Sequence, residues 1–184
     1  SAFGAEVRDF SPADYLREKK FVKVMSRAIQ LGVASSNLAV RDAGVELIEQ
    51  PLHKDDWEGM KKLYAQSVLP LIADESCVTE NDVEKCAGHF HGINIKLTKC
   101  GGITPALKMI RKARELGLKV MIGCMNETTI GSAAIAHLSP LIDFMDADGP
   151  LLLSEDIASG LHYDYGKITI PPKPGLGIEL KNPF

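Results

Sequence analysis

A chain of 184 residues with 45% hydrophobic and 24% charged side chains has the size and balance of one well-packed soluble domain. Its formal net charge of -3 argues against a nucleic-acid or anionic-membrane surface, and no apolar run approaches the roughly 20 residues of a membrane span. Cys77, Cys86, Cys100 and Cys124 show no CxxC spacing and the start SAFGAEVRDF has no basic and apolar leader, so neither a zinc site nor a signal peptide is expected and a cytoplasmic location is.

In chain order, residues 11–32 predict a helix. Ser11 suits its N-cap, Pro12 its first turn, Asp14 a capping box and Gly32 its end. Residues 1–43 are therefore read as a helical segment of undetermined origin. GVELIEQP (44–51) is a first strand, followed by the helical DDWEGMKKLYAQS with Trp57, Met60, Leu63 and Tyr64 at helical spacing. LPLIADES (69–76) is a second strand and TENDVEKCAG a second helix. GINIKLTKCGG (92–102) alternates Ile93, Ile95 and Leu97 with Asn94, Lys96 and Thr98, the period of a third strand. TPALKMIRKARELG is a helix with Thr104 as N-cap, Pro105 in the first turn and Gly117 as C-cap. LKVMIG (118–123), the small-residue helix TIGSAAIAHL and LIDFMDADG (141–149) complete five alternations of strand and helix. Short connections between them call for parallel βαβ units. No Gly-rich phosphate loop follows the first strand, which leaves an α/β fold of the TIM-type (β/α) barrel as the expectation.

A barrel explains a lysine in an apolar strand. Ile93, Ile95 and Leu97 can face the helices while Lys96 points to the barrel mouth, where active sites form; the plain alternative is a lysine snorkelling at a strand end. The other strand ends are acidic: Glu49, Asp74 with Glu75, and Asp146 with Asp148. One such end is commonly a solvated turn or a helix cap. Several beside a lysine repel one another unless a hard divalent cation joins them, and that cation would lower the Lys96 pKa toward that of a useful base. The implied chemistry is proton abstraction beside a metal-bound carboxylate.

The strings ELIEQP, IADES, INIKLTKCGG, MIGCMNET, DADGPLLL and PPKPGLGIEL give the chain, from residue 44 onward, a resemblance to the enolase superfamily. Within its muconate-lactonizing subgroup it resembles the dipeptide epimerases. A lysine base with Mg²⁺ stabilising an ene-diolate is that superfamily's own chemistry and comes with the resemblance. The resemblance implies Glu49 and Asp74 as Mg²⁺ ligands and Lys96 as one of two acid/base lysines. It implies Asp146 and Asp148 as the grip on a dipeptide's α-ammonium and Cys124, with Met125, as pocket lining. The implied substrate is a small dipeptide such as L-Ala-L-Glu, epimerised at its C-terminal residue. Lys99 is excluded as an acid/base group by its odd position, which places it on the helix side or in the turn.

Several family features are missing. There is no Asp-Ala-Asn third metal ligand, no earlier Lys-x-Lys pair and no recognisable capping domain. Residues 44–150 are thus expected to supply about five of eight barrel strands, with 151–184 as a C-terminal extension. Three explanations stay open: pieces of a longer protein, a truncation or fusion, or a relative that has lost catalysis and serves as a binding or assembly module. Another Mg²⁺-enolate reaction (cycloisomerisation, dehydration or N-acylamino-acid racemisation) is the alternative chemistry. The open strand edges of a partial barrel favour a covering chain, a homo-oligomer among the options.

Overall fold

The computed structural model describes residues 42–181, so the helix expected over 11–32 lies outside the described residues. The chain divides into two compact units, Ser1–Glu46 and Leu47–Phe184, and the sheet and its helices belong to the second. Five short apolar runs become parallel strands: β1 (Ile48–Glu49), β2 (Leu71–Ala73), β3 (Gly92–Ile95), β4 (Lys119–Ile122) and β5 (Phe144–Met145). They lie side by side in sequence order, with Glu49 opposite Ile72, Ala73 opposite Ile93, Ile95 opposite Ile122 and Ile122 opposite Met145. A doubly wound sheet would reverse its order part-way; an unreversed parallel series is the wall of a (β/α) barrel.

The helices return the chain between strands. In α1 (Trp57–Tyr64), the Asp56 carboxylate caps the first turn by accepting from the Gly59 amide at 2.9 Å. The expected helix after β2 is a 3-10 turn, Glu80–Asp82, running into the single turn α2 (Val83–Cys86). β3 stops at Ile95 and α3 (Leu97–Cys100) follows, with Lys96 at its N-cap. The longest element, α4 (Ile103–Glu115), buries Ala106, Met109, Ile110 and Ala113, a 3.6-period stripe. Its N-cap is Gly102 and not Thr104. Gly101 and Gly102 have φ of +98° and +114°, a left-handed pair that reverses the chain in two residues. The helix therefore begins earlier than its Thr-Pro signal.

α5 (Thr129–Ala136) is rich in small residues and is buried at Thr129, Ser132, Ala133, Ala134, Ile135 and Ala136. Its cap comes from far along the chain: Asp156 Oδ2 accepts from the Thr129 amide and hydroxyl, both at 2.8 Å. The core packs Ile93, Ile95, Val120 and Ile122 of the sheet with Met60, Val83, Phe90, Met109 and Ile135 of its surroundings, all at most 1% exposed. Each such burial is worth about 1.5–3 kcal/mol. Where β2, β3 and β4 crowd, residue 92 has to be glycine, because a Cβ there would sit 2.6 Å from the Lys119 carbonyl oxygen. The 151–184 stretch forms two small antiparallel pairs, β6 (Ala158–Ser159) with β9 (Glu179–Leu180) and β7 (His162–Asp164) with β8 (Lys167–Thr169). From β7, Tyr163 Oη donates to the Ala147 carbonyl at 2.9 Å, tying this extension to the loop after β5. No described helix is long and apolar enough to cross a membrane.

Candidate active site

The expected residues gather at the C-terminal ends of the parallel strands. Glu49 ends β1, while Asp74, Lys96 and Asp146 each sit one residue beyond a strand and Cys124 sits two beyond β4. Asp148 is the N-cap of a 3-10 turn, Gly149–Leu152. Asp146 and Asp148 are therefore in a loop, not on the strand expected to align them, since β5 ends at Met145. They converge all the same.

Two clusters result. In the first, Asp74 is 4% exposed and each of its oxygens accepts from an ammonium: Oδ2 from Lys96 Nζ at 2.8 Å and Oδ1 from Lys99 Nζ at 2.7 Å. Lys96 Nζ lies 4.0 Å from Glu49 Oε1, which accepts from Asn94 Nδ2 at 2.6 Å. Burial pushes the Asp74 carboxyl up, but the Lys96 and Lys99 hydrogen bonds outweigh it and hold its pKa low. Burial also pushes Glu49 up; the Asp74 charge adds to this, the Asn94 bond opposes it, and the pKa ends raised. For Lys96, burial acts downward, yet the Asp74 bond and the Asp74 and Glu49 charges win and raise it. Among the described residues the ion pair thus favours the ammonium.

In the second cluster, one ligand-capable atom each of Cys124, Asp146 and Asp148 lies within 4.8 Å of the others, and Cys124 Sγ donates to Asp148 Oδ1 at 3.4 Å. They line a cavity of about 560 Å³ together with Met125, Asn126 and Leu152. Burial and the Asp148 charge raise the Asp146 pKa, and burial pushes the Cys124 thiol up. A protonated thiol is a poor ligand and a soft one, so this trio suits Mg²⁺ less than the all-oxygen pair Glu49 and Asp74. Neither Asp146 nor Asp148 has an ion-pair partner among the described residues.

Sequence reasoning missed Lys99, Asn94 and Gln50. Lys99 lies in the turn after β3, one of the two places the parity argument allowed it, but that argument did not foresee its bond to Asp74. In a helical turn, positions 96 and 99 share a side, and the Gly-Gly that follows was the available signal. Of the two remaining rim carboxylates, Glu75 is exposed, whereas Glu127 is 9% exposed with neither carboxylate oxygen hydrogen-bonded among the described residues.

The chain is 56% identical over 142 residues to an L-Ala-D/L-amino acid epimerase of Maribacter sp., covering 77% of this chain and 42% of the relative. A substrate-liganded complex of the L-Ala-D/L-Glu epimerase from Bacillus subtilis aligns with a TM-score of 0.69 and 39% identity, over 80% of this chain and 44% of that one. A dipeptide epimerase from Methylococcus capsulatus, complexed with Mg and the dipeptide L-Arg-D-Lys, aligns with a TM-score of 0.67 and 31% identity, again over 80% and 44%. The chain spans less than half the length of these relatives. The strand order is that of the barrel wall, and the enolase C-terminal domain-like family model matches residues 26–183: this chain belongs to that family, whose barrel fold it carries in part.

Proposed function

We propose that the protein carrying this chain is a Mg²⁺-dependent dipeptide epimerase that moves the α-proton of the C-terminal residue of a dipeptide such as L-Ala-L-Glu. The observation that carries the reading is the pairing, on one rim, of a lysine-rich carboxylate cluster with a carboxylate pair that has no described cationic partner. A dipeptide carries a cationic and an anionic end across such a rim. Its α-ammonium suits Asp146 and Asp148, two exposed carboxylates on one cavity wall. Its carboxylate end suits the Glu49–Asp74 side only through a divalent cation held there.

The donor set fits Mg²⁺. Glu49 and Asp74 offer hard oxygens from adjacent strand ends, and a bound ion would take the place of an ammonium at one of the Asp74 oxygens. Two carboxylates alone hold Mg²⁺ weakly, so a third oxygen ligand from outside residues 42–181 belongs to the proposal. Bound there, the ion would supply stabilisation of negative charge on the substrate carboxylate. Lys96 serves one face of the α-carbon, taking the proton as the amine and returning it as the ammonium. Inversion needs a group on each face. Lys96 and Lys99 both bind Asp74, so this reading assigns the opposite face to a group outside residues 42–181. Cys124 shapes the cavity wall beside the ammonium.

Proton NMR of each Ala-Glu epimer, free and N-acetylated, with the isolated protein and Mg²⁺ in D₂O tests this. Loss of the α-proton and interconversion are expected for the free dipeptides. Preference for the acylated set overturns the dipeptide assignment, and no exchange with any epimer overturns catalysis in favour of a binding module.

A further inference from the structure

Gln50 sits between Glu49 and Pro51 with a backbone φ of +36°, a left-handed conformation that disfavours any residue carrying a side chain. Its amide nevertheless donates to the Ile72 carbonyl at 2.9 Å, so the pairing of β1 with β2 runs through it. From this backbone the side chain reaches across the sheet end. Oε1 accepts from the Asp74 amide at 3.0 Å and the Ser76 amide at 3.2 Å. Nε2 donates to the Leu52 carbonyl at 2.9 Å and to Ser76 Oγ at 3.0 Å, and Ser76 Oγ donates onward to the Lys54 carbonyl at 2.9 Å. Two acceptances and two donations exhaust a carboxamide. Gln50 therefore has nothing left to offer a ligand directly, and three of its four side-chain bonds converge on the Asp74 turn, the fourth going to the Leu52 carbonyl.

We propose that Gln50 is a positioning residue for the Glu49–Asp74 pair. Its main chain carries on directly from one carboxylate and its side chain clamps the main chain bearing the other, fixing the distance and angle between them. This rests on the reading that Glu49 and Asp74 hold a divalent cation. Partners that orient ligands in this way typically change metal affinity by about 10- to 100-fold.

Calorimetric titration of Mg²⁺ into the metal-free isolated protein, with thermal melting of the same samples, tests it. Glu49→Gln should abolish binding. Gln50→Leu, which keeps the bulk and loses the four bonds, should bind about 10- to 100-fold more weakly. Gln50→Glu keeps the acceptor facing the Asp74 and Ser76 amides but turns a second carboxylate oxygen on the Leu52 carbonyl, and should recover part of that loss. A purely structural role would instead lower the melting temperature and leave the affinity of the folded protein unchanged. Wild-type affinity in a folded Gln50→Leu protein, with binding lost in Glu49→Gln, overturns the positioning role and spares the metal site. Unchanged binding in Glu49→Gln overturns the metal site and this inference together. Where Gln50→Leu does not fold, Ser76→Ala decides: a several-fold weaker affinity with normal melting supports the clamp, and wild-type affinity overturns it.

Discussion

The two halves of the strand rim treat the same residue type in opposite ways. Asp74 and Asp146 each follow a short strand by one residue, and burial pushes both carboxyls up. Asp74 ends low because Lys96 and Lys99 hold it; Asp146 ends high because burial raises it and the Asp148 charge adds to that. Burial acts upward on both, and only at Asp74 do the neighbours reverse it. The β1–β3 end is internally compensated and braced by Asn94 and Gln50. The β4–β5 end leaves two negative groups for an incoming cation, which is why one reads as the place of proton transfer and the other as the place of substrate recognition.

Breaking the braced end should have the largest effect. Lys96→Ala is expected to slow α-proton exchange by about 10³-fold, the usual worth of a positioned acid/base group, measured by NMR in D₂O. Loss of less than tenfold would remove Lys96 from the proton path. Next comes the uncompensated end. Asp148→Asn should raise KM for free dipeptides by about 10- to 100-fold, and leave N-acylated analogues unaffected, as steady-state kinetics on both sets would reveal. An equal change for the two sets would contradict the ammonium grip.

Two smaller effects sharpen the contrast between braced and unbraced carboxylates outside the rim. Asp156→Ala removes the distant cap of α5 and should cost about 1 kcal/mol by urea denaturation. Asp143 accepts from Arg114 Nη1 at 2.6 Å and from the Val120 amide at 2.7 Å. Burial would raise its pKa, but the Val120 and Arg114 bonds prevail and lower it. A carboxyl lowered on folding contributes stability above its unfolded pKa of about 3.9 and loses it as pH falls through the folded value. The pair is partly exposed, so the contribution is below about 1 kcal/mol. Stability curves of wild type and Asp143→Asn should therefore differ near neutrality and converge in acid; a constant gap would refute the linkage.

The barrel wall was legible where periodicity is strong. Ile93 and Ile95 marked β3, and the stripe from Ala106 to Ala113 marked α4, because burial on one face leaves a fixed period. Boundaries were less so: Thr104 and Pro105 signal a helix start, yet the Gly101–Gly102 reversal sets it. Of the site, charged side chains at strand ends were readable. The amides that orient them were not, since Asn94 reaches Glu49 across 45 positions and Gln50 reaches the Asp74 amide across 24, with no spacing signature. The bond from Lys99 to Asp74 had none either.

The cap of α5 has a consequence in time. Thr129 leaves the ribosome 27 residues ahead of Asp156, a delay of about 1–5 s at ordinary synthesis rates. Throughout that interval the Thr129 amide has only water in place of Asp156. The helix following β4 is then the last part of the wall to be secured, fastened by a segment that arrives after every strand of the sheet has been made. Pulse-labelled hydrogen exchange during refolding should accordingly find the Thr129 amide protected later than those of Ile93 and Ile95; earlier protection would place the fastening ahead of the sheet.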